Sequence, residues 1–133
     1  MEVQSLRLER YIFSGLINNP EIFPEIEQFL EETTFTHPIH KAIFSQIRQI
    51  LEHSELLDKG ILSEKIINLG IRFHEDIPIY DYINNITWTQ ITPEGLKGSA
   101  RELLSLKVRR NKIKKCDEIS SYVEKNGNLT IDE

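Results

Sequence analysis

Apolar residues return at helical spacing from the start of the chain. Leu8, Ile12 and Leu16 recur every four positions, and Leu6, Phe13 and Ile17 widen the stripe, so residues 5 to 18 are expected to form an amphipathic helix. Gly15 falls inside it, where glycine costs about 1 kcal/mol of helix propensity and signals the close approach of another backbone. Asn19-Pro20 is a start signal, since Asn caps free amides and Pro gives up an amide that has no partner. Ile22, Phe23, Ile26, Phe29 and Leu30 then define the buried face of a second helix. After Thr33 and Thr34 break the pattern, Thr36-His37-Pro38 restarts it. Ile39, Ile43, Phe44, Ile47, Ile50 and Leu51 make the strongest stripe of the chain and mark the core helix. Asp58 is placed to cap a helix in which Leu62, Ile66 and Leu69 share a face, and Gly70 to end it. Residues 71 to 76 carry no clear period. Ile77, Tyr80, Ile83 and Ile86 suggest a further short helix, although the alternation of Ile77 and Ile79 equally permits a strand.

From Pro93 polarity rises while the period persists. Thr92-Pro93-Glu94 starts a helix whose stripe runs through Leu96, Ala100, Leu103, Leu106, Ile113, Cys116, Ile119 and Val123, interrupted at Arg109 and Arg110. A helix over 94 to 124 would reach about 46 Å, longer than a small domain is wide, so part of it must protrude or find a partner. Asn126-Gly127-Asn128 ends it. The pattern predicts an all-α chain with a globular helical subdomain over 1–92, a long helix over 93–125 and a turn or disordered tail over 126–133. The sequence stops where a hairpin would turn back.

Composition narrows the function. A chain of 133 residues fits one domain with a modest core. Its 16 Lys and Arg against 21 Asp and Glu give a formal net charge of -5, which argues against phosphate binding over the whole surface and leaves room for local basic patches. The single cysteine, Cys116, excludes an intramolecular disulfide and suits a reducing cytosol. No apolar run reaches the length of a membrane span and no signal peptide opens the chain, so a soluble, cytoplasmic protein is expected.

Catalytic motifs are missing from the sequence. There is no nucleotide loop, dinucleotide turn, zinc-protease pair or nucleophile elbow, and Gly95-Leu96-Lys97-Gly98 lacks the spacing and preceding strand of a phosphate loop. His37 and His40 could share a helix face, but no cysteine or nearby carboxylate completes a metal set, so His40 is read as hydrogen-bonded within the packing and His37 as lying near the helix start. Glu31-Glu32 and Glu75-Asp76 are adjacent in sequence and read as solvated turn residues. Cys116 lies on the apolar stripe and reads as a buried small hydrophobe. No catalytic, cofactor-binding or metal-ligating residue is assigned. Lys107, Arg109, Arg110, Lys112, Lys114 and Lys115 form a basic collar around the long helix. It is open to three readings: a solvated face, contact with an acidic partner or neighbouring subunit, or direct nucleic-acid contact.

Several of these residues together resemble the amino-terminal domain of DnaB-type replicative DNA helicases. Leu8-Glu9-Arg10-Tyr11-Ile12 leading to Gly15-Leu16-Ile17 is similar to that family's opening helix, and Pro20 stands at its next mark. Phe35, Pro38, His40, Ile43 and Phe44 match a Phe-x-x-Pro-x-His-x-x-Ile-Phe run. Asp58 with Leu62, Tyr82-Ile83-Asn84-Asn85-Ile86 and the Thr92-Pro93 entry resemble later family features. Ile61 departs where Thr is common, and Arg109-Arg110 depart where apolar residues are expected. The resemblance spans roughly residues 5 to 124 and implies a compact helical bundle followed by the first, truncated arm of a helical hairpin. It implies a non-catalytic domain that assembles a hexamer, as a trimer of dimers, and contacts primase and a helicase loader, with weak or indirect DNA contact. ATP and Mg are implied only for a parent motor domain. By carry-over, Leu96, Leu103, Leu106, Ile113, Cys116 and Ile119 are candidate interface positions, joined by Arg109 and Arg110 from the collar. A fragment lacking the returning helix is expected to be monomeric or weakly associated. A primase helicase-binding domain, or a stand-alone helical adaptor or DNA-binding protein, are the alternatives.

Overall fold

Ser5 opens the first helix by accepting a hydrogen bond from the Leu8 amide at 3.2 Å, and α1 follows over Leu6–Asn18. The computed structural model describes residues 4–71 and 77–125, with side chains through residue 120. Residues 72–76 of the aperiodic stretch 71 to 76, the tail 126–133 and the Val123 side chain lie outside the described residues.

The expected second helix is broken into short pieces. Pro20–Ile22 forms a 3-10 turn, α2 covers only Phe23–Ile26, and Glu27–Phe29 is again a 3-10 turn. Pro24 explains the break, because it lacks the amide that an α-helix would offer to the Pro20 carbonyl; the Phe23 amide takes that carbonyl instead. Asn19 supplies no side-chain cap to the turn. The segment still buries Ile22, Phe23, Ile26 and Leu30, so the apolar pattern survives the loss of regular geometry.

α3 (Pro38–Glu52) is the core helix that the stripe predicts. His37, not Thr36, caps it, with Nδ1 accepting from the Ile39 amide at 3.1 Å. Ile39, Ile43, Phe44, Ile47 and Ile50 are buried. Phe35 stacks on Phe13 at 5.0 Å between centroids and tilts against Phe44 at 4.9 Å, which ties α1 to α3 through aromatic packing. At the end of α3 the Glu55 amide reaches back to the Ile50 carbonyl at 2.9 Å, a closure that puts Ser54 in the left-handed region at φ 56.

Asp58 caps α4 (Lys59–Asn68), its carboxylate accepting from the Ile61 amide at 3.0 Å, and Gly70 at φ 72 terminates it. Leu62 and Ile66 are buried, but Leu69 is exposed and does not share their face. α5 (Ile79–Ile86) decides the helix-or-strand ambiguity in favour of helix. Its buried face is Ile79 and Ile83, while Tyr80 is exposed and Ile77 precedes the first turn. α6 runs from Pro93 to Lys125. The described residues are helical with no strand; α1 lies against α3, α5 and α6, and α4 bridges α3 and α5.

Candidate interaction surface

Thr92 launches α6, its hydroxyl accepting from the Gly95 amide at 3.0 Å and its carbonyl from the Leu96 amide at 2.9 Å. That start aims Leu96 at Gly15. A β-carbon on Gly15 would stand 2.6 Å from Leu96 Cδ1, so the close neighbour that the glycine accommodates is a side chain, not the backbone the sequence suggests. Leu96, Ala100, Leu103 and Leu106 are all buried and join the core with α1.

Polar contacts continue the docking along the helix. Lys97 meets Glu25 at 2.7 Å, the Arg101 guanidinium lies 5.6 Å from the Phe29 ring centroid, and Lys107 donates to Glu31 at 2.9 Å. Arg110 donates to the carbonyls of Thr33 and Thr34 at 3.0 and 3.3 Å, at the end of a 3-10 turn over Glu32–Thr34. That turn is stiffened by Thr34 Oγ1, which accepts from the Glu31 amide at 2.9 Å. On its other side Arg48 donates to Glu32 at 3.1 Å and to the Leu30 carbonyl at 3.0 Å. The ammonium of Lys107 holds the Glu31 carboxyl below the usual carboxylate range, first by its hydrogen bond and then by its charge.

Beyond Arg110 the helix leaves the body. Every residue from Asn111 to Ser120 is exposed, and the part of α6 past Arg110 extends for about 22 Å. The structure therefore divides the candidate interface residues. Leu96, Leu103 and Leu106 are buried in the chain's own core. Arg110 contacts the body. Arg109, Ile113, Cys116 and Ile119 are exposed, with Ile113 at 44% and Ile119 at 56% of full accessibility. Cys116 is thus not the buried hydrophobe that its place on the stripe suggests. The collar divides as well: Lys107 and Arg110 brace the helix against the body, whereas Arg109, Lys112, Lys114 and Lys115 face solvent.

The family-motif residues lie in the body of the fold. Leu8 is partly buried against the core, and Phe35, Ile43 and Phe44 lie within it; Pro38 opens α3 and Gly15 receives Leu96. Glu9 and His40 form a link that spacing does not reveal. Both are fully enclosed, and His40 Nδ1 lies 2.8 Å from Glu9 Oε1 while its Nε2 lies 2.6 Å from the Tyr82 hydroxyl. The other Glu9 oxygen accepts from the Thr36 amide at 3.1 Å and its hydroxyl at 2.7 Å. Burial pushes the Glu9 carboxyl up, but the bonds from His40 and Thr36 and the attraction of His40 outweigh it, so the net shift is downward. The visible signal in the sequence is a carboxylate on an apolar stripe: Glu9 lies three, four and seven residues before Ile12, Phe13 and Leu16.

Among the described residues no group of three or more His, Cys, Asp or Glu is placed to hold a metal ion, and no helix is long and apolar enough to cross a membrane. The His37 and His40 rings are 5.2 Å apart between centroids, with a nitrogen of His37 occupied by the α3 cap and both nitrogens of His40 engaged.

The described residues thus form a docked helical bundle from which the end of α6 projects. The family model described as DnaB-like helicase N terminal domain matches residues 1–105, and the chain belongs to that family, whose domain is non-catalytic. The fold is similar to the crystal structure of the N-terminal domain of DnaB helicase from Mycobacterium tuberculosis, with a TM-score of 0.80 at 15% identity over 92% of this chain and 87% of that one. No curated protein matches the chain. The family match stops at Ser105, so Arg109, Arg110, Ile113, Cys116 and Ile119 all lie beyond it.

Proposed function

We propose that this chain is the assembly and primase-contacting domain of a hexameric, cytoplasmic replicative helicase, in which the projecting part of α6 is the adhesive arm. The single observation that carries this reading is the exposed run from Asn111 to Ser120, where Ile113 sits among Lys112, Lys114 and Lys115 and Ile119 follows Asp117 and Glu118. An exposed helix of this composition gains from burying its isoleucines against a second helix, while its cations select an acidic neighbour. Pairing of such arms gives a two-fold contact, and three of those pairs close a hexamer as a trimer of dimers. The globular part, locked by the Glu9–His40–Tyr82 link, then serves as a rigid base that fixes the direction of the arm. A helicase loader is a further partner of the same surface, and DNA contact is weak or indirect. ATP and Mg belong to the motor of the parent helicase.

Co-purification distinguishes this role from that of a primase-borne helicase-binding domain. The chain, immobilised and offered separately the primase and the helicase motor of its source, is expected to retain primase. Retention of the motor domain with no primase bound would overturn the proposal.

A further inference from the structure

A cavity of about 470 Å³ opens between α1, the start of α3 and α5, on the side of the His40–Tyr82 pair away from Glu9, within the size range of small-molecule sites. The described lining carries one sign of charge. Arg10 is half-buried, and no carboxylate or carbonyl among the described residues meets its guanidinium. The Asn85 carboxamide, also in the lining, makes no hydrogen bond within the described chain. Tyr11 accepts from Arg7 Nε at 3.0 Å, which leaves its hydroxyl proton for another acceptor. No Asp or Glu among the described residues contributes to this lining, and both oxygens of the nearby Glu9 are already committed.

Part of the remaining wall is apolar. Leu6 from α1 and Ile86 from α5 provide surface against which a hydrocarbon or aromatic body can lie. The wall is also preformed, because His40 is held through both ring nitrogens and cannot turn without breaking a bond. Among the described residues, a half-buried cation without a partner, two neutral donors, no acid and an apolar floor together define a ligand class. We propose that this cavity binds a small carboxylate with an aromatic or other apolar body, its oxygens on Arg10 and Asn85 and its body against Leu6 and Ile86. A metal cation would face the Arg10 guanidinium with no carboxylate among the described lining residues, and inorganic phosphate would leave the apolar floor uncovered.

The test is titration of the whole 133-residue chain with benzoate, benzyl alcohol and inorganic phosphate, followed by NMR chemical shifts. Benzoate is expected to produce saturable shifts at Arg10, Tyr11 and Asn85. Benzyl alcohol should bind about tenfold more weakly at the same residues, and phosphate should not displace benzoate. Arg10→Met keeps the aliphatic stem, so it should weaken benzoate about tenfold and leave benzyl alcohol unchanged, the latter also reporting an intact cavity. The comparison of the two aromatic ligands on the unmodified chain needs no variant. Absence of saturable benzoate shifts, equal affinity for benzyl alcohol, displacement by phosphate, or unchanged benzoate affinity in Arg10→Met would each overturn the assignment.

Discussion

Replacing Glu9 by Gln removes one charge from a fully enclosed polar group of the fold while keeping its size. The carboxylate now accepts three hydrogen bonds, from the Thr36 amide, the Thr36 hydroxyl and His40 Nδ1. A carboxamide has one acceptor oxygen and two N–H donors, so at least one donor that faced Glu9 loses its acceptor or must reverse. With hydrogen bonds to a charged group contributing about 1.5–3 kcal/mol each, Glu9→Gln should destabilise the chain by about 2–3 kcal/mol at neutral pH. The sign of the pH dependence follows from the downward shift of the Glu9 carboxyl. A depressed folded pKa contributes stability that is fully present above the unfolded value of about 4.3 and is lost as pH falls through the lower folded value. The stability gap between wild type and Glu9→Gln should therefore be widest at neutral pH and narrow on acidification below the ordinary carboxylate range. Urea unfolding followed by circular dichroism across that range measures both quantities. A gap under about 0.5 kcal/mol at neutral pH, or one that does not change on acidification, would refute the assignment of Glu9 as an ionised, bonded core group.

Three further substitutions test the packing. Gly15→Ala places a methyl 2.6 Å from Leu96 Cδ1 and should destabilise by about 1–3 kcal/mol despite the gain in helix propensity, and combination with Leu96→Ala should be less than additive in denaturant unfolding. Ser54→Gly relieves a left-handed backbone at φ 56 and should stabilise by about 0.5–1 kcal/mol, read as a raised urea midpoint. Asp58→Ala removes the α4 cap and should cost about 1 kcal/mol in the same assay.

The long helix, the core helix and the opening helix were legible because their apolar residues keep a 3.6-residue period over many turns, as Ile39 to Ile50 show. Where chemistry below the level of the period decides, the pattern misleads. Ile22 to Leu30 keep helical spacing, yet Pro24 removes the amide that would have continued the helix. Ile77 and Tyr80 belong to a plausible stripe, but the first turn of α5 starts later and buries Ile79 instead. Burial on α6 illustrates a different limit. One apolar stripe runs from Leu96 to Ile119, and its interruption at Arg109 and Arg110 does not by itself say that the body ends there, leaving Leu106 enclosed and Ile113 exposed. The change is set by how far residues 31–34 reach along the helix, a tertiary fact. The Glu9–His40–Tyr82 link joins three helices and was likewise out of reach of spacing, although a carboxylate on the buried face of α1 was its trace.

The central claim is that the exposed end of α6 joins subunits. The most direct measurement is the native mass of the helicase that carries the domain, with and without Ile113→Asp and Ile119→Asp together. Both side chains are exposed, so the isolated chain should unfold at an unchanged urea concentration. The account predicts that the doubly substituted helicase falls from hexamers to smaller species; intact hexamers at the same protein concentration would contradict it.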